Sequence, residues 1–182
     1  SLDEVKCDIQ KRTMWKIYVL VLKKLLQNDS NIINLLDAGC GMGNFTLELA
    51  NHNKFKNIVG IDFLIETINL ALENKKQFEK ITFLQGDLVK MPFCEKSFDV
   101  TFCLNVLHHI HKEDFNNVLR ELARVTDKFL VIEIRNANYI FNFLYEFLIP
   151  LFYRGLPLYS HTIKDINKLI NRHFELNNIE GN

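Results

Sequence analysis

The 182-residue chain is poor in glycine and proline, with seven and three residues, and has one tryptophan. It lacks an excess of either charge, since 22 Lys and Arg balance 22 Asp and Glu. A protein that works on nucleic-acid phosphates needs a basic surplus, so this balance argues against a nucleic-acid partner, although a small basic patch would not register in the sum. The four cysteines, Cys7, Cys40, Cys94 and Cys103, form no C-x-x-C pair and none stands at zinc spacing from a histidine. They read as free thiols in a reducing cytoplasm, with no metal centre. No apolar run reaches the roughly 18 residues of a membrane-crossing helix. The nearest approach, Phe143–Tyr153, is interrupted by Glu146 and Pro150. No basic stretch leads into an apolar one after Ser1, so no secretory signal is expected. Internal repeats and low-complexity tracts are missing too.

What the chain does have is phenylalanine, 15 residues, and asparagine, 20 residues. Its hydrophobic fraction of 48% supplies one sizeable core, and its length favours one domain, 1–182. The pattern alternates between strand and helix. Thr13–Gln27 reads as a largely buried helix. Ile33–Asp37, Asn57–Asp62, Ile81–Gln85, Phe98–Asn105 and Lys128–Glu133 read as buried strands, with His173–Ile179 a candidate sixth. Between them, Phe45–Ala50 and the Ile65, Ile68, Leu72 series suggest helices. Phe115, Val118, Leu119, Leu122 and Val125 trace the cleanest amphipathic helix. Thr162 and Asp165 resemble a capping box that opens another, with Ile166, Leu169 and Ile170 inside. Strand, helix, strand in this order predicts right-handed crossovers and a doubly wound, mostly parallel α/β sheet.

Such sheets bind ligands beyond the carboxyl ends of their strands. Four of those ends carry chemistry. The first is Asp37-Ala38-Gly39-Cys40-Gly41-Met42-Gly43-Asn44, where glycines let the backbone turn sharply and approach a ligand. A dinucleotide fingerprint would need glycine where Asn44 stands, which counts against a nicotinamide oxidoreductase. Asp62 ends the second strand, where a carboxylate can accept both hydroxyls of a ribose; it also suits a helix N-cap. Asp87 follows the third strand and can accept from an exocyclic amine; it equally suits a turn. Asn105 closes the fourth, ahead of Val106-Leu107-His108-His109-Ile110-His111. Each is commonly structural by itself, but four on one rim make a purely structural origin improbable.

These residues resemble a known family. LLDAGCGMGNFTLELA is similar to motif I of class I S-adenosylmethionine-dependent methyltransferases, VGIDFL to their acidic post-I motif, and FLQGDLVKMPF to the segment bearing the adenine-side Asp. FDVTFCLNVLHHI with LRELARV resembles the small-molecule, type 11-like subgroup. The resemblance spans about Leu35 to Asn136 and implies a Rossmann-like methyltransferase fold with S-adenosylmethionine as cofactor. It places Asp37, Gly39, Cys40 and Gly41 around the methionine part. Asp62 falls on the ribose and Phe63 on the adenine face. Asp87 and the Leu88 N–H lie at the adenine edge, and Asn105 and Val106 on the methyl side.

Two departures stand out. The family commonly has K-P-G-G before its fifth strand, where this chain has Thr126-Asp127-Lys128, so that turn is expected to be built differently. No [DN]-P-P-[YF] follows the fourth strand, which argues against an enzyme that methylates DNA bases or protein glutamine. The family's sheet also ends in an antiparallel seventh strand, for which Glu180-Gly181-Asn182 are too few; the natural chain is expected to continue or to lack that strand.

The resulting expectation is a methyltransferase acting on a small, apolar or aromatic acceptor. Residues 1–30 would form a helical cap, with Arg12, Trp15 or Tyr18 facing the cofactor. Residues 137–160 would form an acceptor-side insertion, since Ile140–Tyr159 holds seven aromatics. A surface that touches membrane lipid, and an ordinary core helix with its linker, are the other readings of that stretch. His108 and His109 are the candidates for a general base, where the acceptor must lose a proton. A methyltransferase-like module that binds through a protein partner is the alternative, which the acidic strand ends disfavour.

Overall fold

The computed structural model describes Tyr18, residues 21–24, Gln27, and residues 32–51, 54–75 and 78–133. Five short apolar runs become strands: β1 (Asn34–Ala38), β2 (Asn57–Asp62), β3 (Ile81–Gln85), β4 (Phe98–Cys103) and β5 (Thr126–Ile132). Three helices alternate with them, α1 (Asn44–Ala50), α2 (Ile65–Lys75) and α3 (Phe115–Val125), and one turn of 3-10 helix covers Leu107–His109. The strands pair in parallel in the order β3-β2-β1-β4-β5. The chain therefore winds outward from β1 on one side, then crosses back to β4 on the other. The rim between β1 and β4 is the switch point, where the loops diverge and leave a crevice.

Each face of the sheet has its own core. Leu35, Ile58, Ile81, Val100 and Phe102 pack with Phe45 and Leu49 of α1, Ile68 and Ala71 of α2, and Leu22 from the helical positions before β1. Leu36, Ala38, Ile61, Phe98 and Cys103 pack on the opposite face with Phe115, Val118, Leu119, Leu122 and Val125 of α3. The alternation along β1, Leu35 to one side and Leu36 to the other, is what a strand covered on both faces requires. Each fully buried Leu, Ile or Phe contributes roughly 1.5–3 kcal/mol relative to exposure. Phe45 meets Phe102 edge-on at 5.4 Å and Tyr18 at 5.8 Å, so part of the phenylalanine surplus is core.

Two boundaries differ from the sequence reading. β4 stops at Cys103, and Asn105 lies beyond it with φ of 59°. The chain turns there because asparagine tolerates the left-handed region that would end any strand. β5 starts at Thr126, directly after Val125, so no loop joins α3 to the sheet. Thr126 makes this junction: its hydroxyl donates to the Leu122 carbonyl at 2.5 Å and lies 2.7 Å from Thr101 Oγ1. The pairing of β4 with β5 shifts register between Phe98 and Val100, which absorbs the abrupt entry. The turn expected to be unusual at Thr126-Asp127-Lys128 is in fact the first three residues of the strand. The candidate sixth strand His173–Ile179, the helix after Thr162 and the 137–160 insertion lie outside the described residues.

Candidate active site

The glycine-bearing turn after β1 is tied to β2 as well as to itself, where the Gly43 N–H donates to the Cys40 carbonyl at 3.0 Å. Gly39 and Cys40 both donate their N–H groups to the Ile61 carbonyl, at 2.7 and 3.0 Å, and Gly41 donates to Asp62 Oδ2 at 2.8 Å. Gly39 has φ of 81°, and a Cβ built on it would stand 2.2 Å from Val106 Cγ2. Glycine is thus required there twice, by the backbone angle and by the residue that follows β4. This contact brings the β1 turn and the β4 end together at the switch point.

Asp62 is a hub. Its Oδ2 takes the Gly41 N–H, and its Oδ1 takes the Leu64 N–H at 3.0 Å. The Thr67 hydroxyl lies 3.1 Å from Oδ1 and 2.8 Å from the Leu64 carbonyl, and its one proton serves either. The carboxylate therefore holds the start of α2, as the helix-cap reading expected, and it also shapes the glycine turn, which the sequence did not suggest. Ionised carboxylates offer about four acceptor sites. With Thr67 turned to Leu64, two remain open, one per oxygen.

Asp37 is 3% exposed at the end of β1 and accepts from Thr46 Oγ1 of α1 at 2.5 Å on Oδ2. Its Oδ1 meets no donor among the described residues. Burial pushes the Asp37 carboxyl up to about 6, against the Thr46 hydrogen bond that lowers it, with the Asp62 charge adding to the rise. Burial likewise pushes the Cys40 and Cys103 thiols up, helped by the neighbouring Asp37. Both stay protonated near neutral pH and neither is a nucleophile. Cys40, Cys94 and Cys103 carry no disulfide.

The third strand end is joined more loosely. Gly86 donates to the Asp62 carbonyl at 2.9 Å, and Gln85 Nε2 to the Phe63 carbonyl at 3.2 Å. Asp87 lies two residues past β3, exposed, with Oδ1 accepting the Val89 N–H at 2.9 Å. Leu88 is buried, whereas Phe63 is 67% exposed. Beyond β4, His108 is buried and His109 partly exposed, with ring centres 4.1 Å apart. Asp37, Gly39, Cys40, Gly41, Asp62 and Val106 thus form one connected cluster. Asp87 and Leu88 follow Gly86, whose N–H is held by the Asp62 carbonyl, and Leu88 shares the buried cluster of Ala38 and Ile61 against which Val106 packs.

Thr46 and Gly60 belong to the site and escaped the sequence reading. The Thr46 signal, a hydroxyl nine residues after Asp37 on the first turn of a helix, is too weak to single out alone. Gly60 sits inside β2, where a Cβ would stand 2.6 Å from the Phe83 ring and 2.9 Å from Cys40 Sγ.

Comparison with known proteins agrees with this geometry. A family model described as a methyltransferase domain matches residues 35–128. The chain belongs to the class I S-adenosylmethionine-dependent methyltransferases. It is 30% identical over 96 residues to the sterol 24-C-methyltransferase erg6 of Aspergillus fumigatus, covering 51% of this chain and 25% of that protein. It is 39% identical over 100 residues to the O-antigen chain terminator bifunctional methyltransferase/kinase WbdD of Escherichia coli, covering 52% and 14%. Its fold is similar to magnesium protoporphyrin IX methyltransferase of Synechocystis, solved with bound SAH, at a TM-score of 0.68 and 22% identity over 87% of this chain and 71% of that one. The chain spans about a quarter or less of the length of the two curated relatives named. No helix among the described residues is long and apolar enough to cross a membrane.

Proposed function

We propose that this methyltransferase domain binds S-adenosylmethionine on the rim of β1, β2 and β4 and directs its methyl to a small, apolar or aromatic acceptor. The observation that carries the reading is the Gly41 to Asp62 hydrogen bond. It couples the glycine turn to a carboxylate with two acceptor sites to spare, the number a ribose diol needs. In this reading Asp62 takes the ribose, and Gly39, Cys40 and Gly41 offer close backbone to the methionine part beside Asp37. Phe63, an exposed ring next to Asp62, covers the adenine. Asp87 and the Leu88 N–H face its edge, and Asn105 and Val106 line the methyl side.

S-adenosylmethionine, when bound, supplies an electrophilic methyl on a sulfonium whose departure leaves a neutral thioether. The chain's residues are left with orientation and water exclusion, which account for several kcal/mol in well-positioned reactions. An acceptor that must lose a proton needs a base. Of the two histidines, His109 is the more accessible and is assigned that role, while His108 packs beneath it. Support for an apolar acceptor comes from the aromatic content of residues 140–159, the balanced charge, and a relative named for a sterol.

Calorimetry with S-adenosylmethionine, S-adenosylhomocysteine and NAD tests the cofactor. Both sulfur ligands are expected to bind and NAD is not, with Asp62→Ala weakening the sulfur ligands at least tenfold. Failure of the wild type to bind either sulfur ligand sinks the reading. Binding without methylation of any acceptor in a broad screen would favour the partner-dependent module.

A further inference from the structure

β3 is an edge that nothing among the described residues covers. The Lys80 carbonyl accepts the Ile58 N–H, and the Gly86 N–H reaches the Asp62 carbonyl, both at 2.9 Å. Alternate residues of a parallel strand turn both backbone groups to one side. Thr82 and Leu84 therefore bond to β2, whereas Phe83 and Gln85 turn their N–H and C=O groups outward, with no partner among the described residues. Natural edges are blunted by lysine, proline or a bulge, yet Ile81–Gln85 holds no charge, no proline and no register shift. The helix beside this edge has the same character. Ile68 and Ala71 are the buried residues of α2, and Ala71 marks its α1 side, since a Cβ on Gly43 would stand 3.1 Å from it. Ile65 and Leu72 fall on the other side of Ile68 round the helix, 42% and 47% exposed, with Asn69 beside them. Glu66 and Glu73 stand opposite Ile68 and Ala71, towards solvent, so the flank next to β3 is uncharged.

We propose that this edge seats a second copy of the chain, β3 pairing antiparallel with its own mate about a twofold axis through Phe83. Phe83 is the middle residue of β3, and its outward N–H and C=O then bond to those of the partner's Phe83. Ala71 and Phe83 are level, since one Cβ on Gly43 would touch both, so the axis also passes the middle of α2. The two flanks of Ile65 and Leu72 then face each other. In such an isologous contact a residue near the axis meets its own copy, and a charge there repels itself. A neutral strand beside a neutral apolar flank meets that condition, and offers a charged partner nothing to pair with. The described ends of the chain lie elsewhere: Tyr18 bonds to Glu133 after β5, about 19 Å away across four strand spacings. The twofold turns the two cofactor crevices to opposite sides of the joined sheet, so each copy keeps its own.

The test is sedimentation of the full chain over a range of concentrations, with amide hydrogen exchange read residue by residue. The wild type is expected to sediment as a dimer. Leu72→Asp on the helix flank and Thr82→Lys on the exposed side of the strand should each halve the sedimenting mass. Leu72→Lys should do the same, and mixing it with Leu72→Asp should restore the dimer, because opposite charges then meet across the axis. In the dimer the Phe83 and Gln85 amides exchange slowly, and in either monomeric variant they lose that protection. The Thr82 and Leu84 amides, bonded to β2, keep theirs in both states. A wild type that is monomeric at every concentration overturns the proposal. So does a dimer that survives both Leu72→Asp and Thr82→Lys, or a mixture of the two Leu72 variants that stays monomeric. Phe83 and Gln85 amides protected in a monomer overturn it as well, since another part of the same chain then covers the edge.

Discussion

Tyr18 donates its hydroxyl to Glu133 Oε2 at 2.7 Å, across 115 residues of sequence. The bond ties the helical positions before β1 to the residue after β5, whose own N–H reaches the Cys103 carbonyl at 3.0 Å. Tyr18→Phe keeps the edge contact with Phe45 and removes only the hydroxyl. The expected loss is about 1.5–3 kcal/mol, as for other hydrogen bonds to charged groups, read as a lower urea midpoint with an unchanged slope. An unchanged midpoint would show that this bond holds nothing.

Gly39→Ala is expected to be costly for two separable reasons. The left-handed φ of 81° costs about 1–2 kcal/mol in any L-residue, and the Cβ collides with Val106 Cγ2. Pairing it with Val106→Ala removes the collision and leaves the backbone cost. A double-mutant cycle should therefore return a favourable coupling of about 1 kcal/mol or more. Strict additivity of the two changes would contradict the contact.

Asp37→Asn should stabilise the ligand-free chain above about pH 6. The folded-state carboxyl is raised to about 6, so the folded chain holds its proton more tightly than the unfolded chain. Wild-type stability then falls as pH rises through the window between the ordinary carboxylate range and 6. An upper limit for that loss is about 3 kcal/mol, and the amide still accepts from Thr46. Melting temperatures at pH 5 and pH 7.5 decide it: the gain appears at the higher pH and shrinks at the lower.

Arg124 clamps the segment between β3 and β4 from α3. It donates to the Phe93 and Met91 carbonyls at 2.7 and 3.2 Å and to Glu121, which accepts the Met91 N–H at 2.8 Å. The hydrogen bond from Arg124 holds the Glu121 carboxyl below its usual range, so this part of the stability is complete at neutral pH and lost as acid protonates Glu121. Arg124→Ala should cost about 1–2 kcal/mol. It should also loosen the loop that starts at Asp87, raising the KM for the cofactor more than it lowers kcat. A fall in kcat at unchanged KM would place the clamp elsewhere in the cycle.

Much of the fold was legible because buried parallel strands advertise themselves as continuous apolar runs, as at Asn57–Asp62. Boundaries were less so. Phe98–Asn105 looks apolar to its end, yet the strand stops at Cys103, because the left-handed turn at Asn105 is a backbone property that composition hides. The Thr126 junction was visible only as a departure from a familiar turn. Its cause, a threonine that caps the helix and opens the strand, depends on the Leu122 carbonyl and on Thr101 across the sheet. At the site, each carboxylate was readable from its place after a strand. Their different characters were not: Asp37 is enclosed near the end of β1 and Asp87 exposed two residues past β3, and enclosure is decided by neighbours distant in sequence. Thr46 was missed for the same reason.

One ring binds two distant positions into a single constraint. A Cβ at Gly43 would stand 2.5 Å from Phe83 Cζ, and one at Gly60 2.6 Å from Phe83 Cδ1. Neither glycine is free to vary while Phe83 is present, and both are partly released when the ring becomes smaller. The three positions should change together in any lineage of this fold. A chain this poor in glycine spends five of its seven, Gly39, Gly41, Gly43, Gly60 and Gly86, in β2 and in the turns beyond β1 and β3.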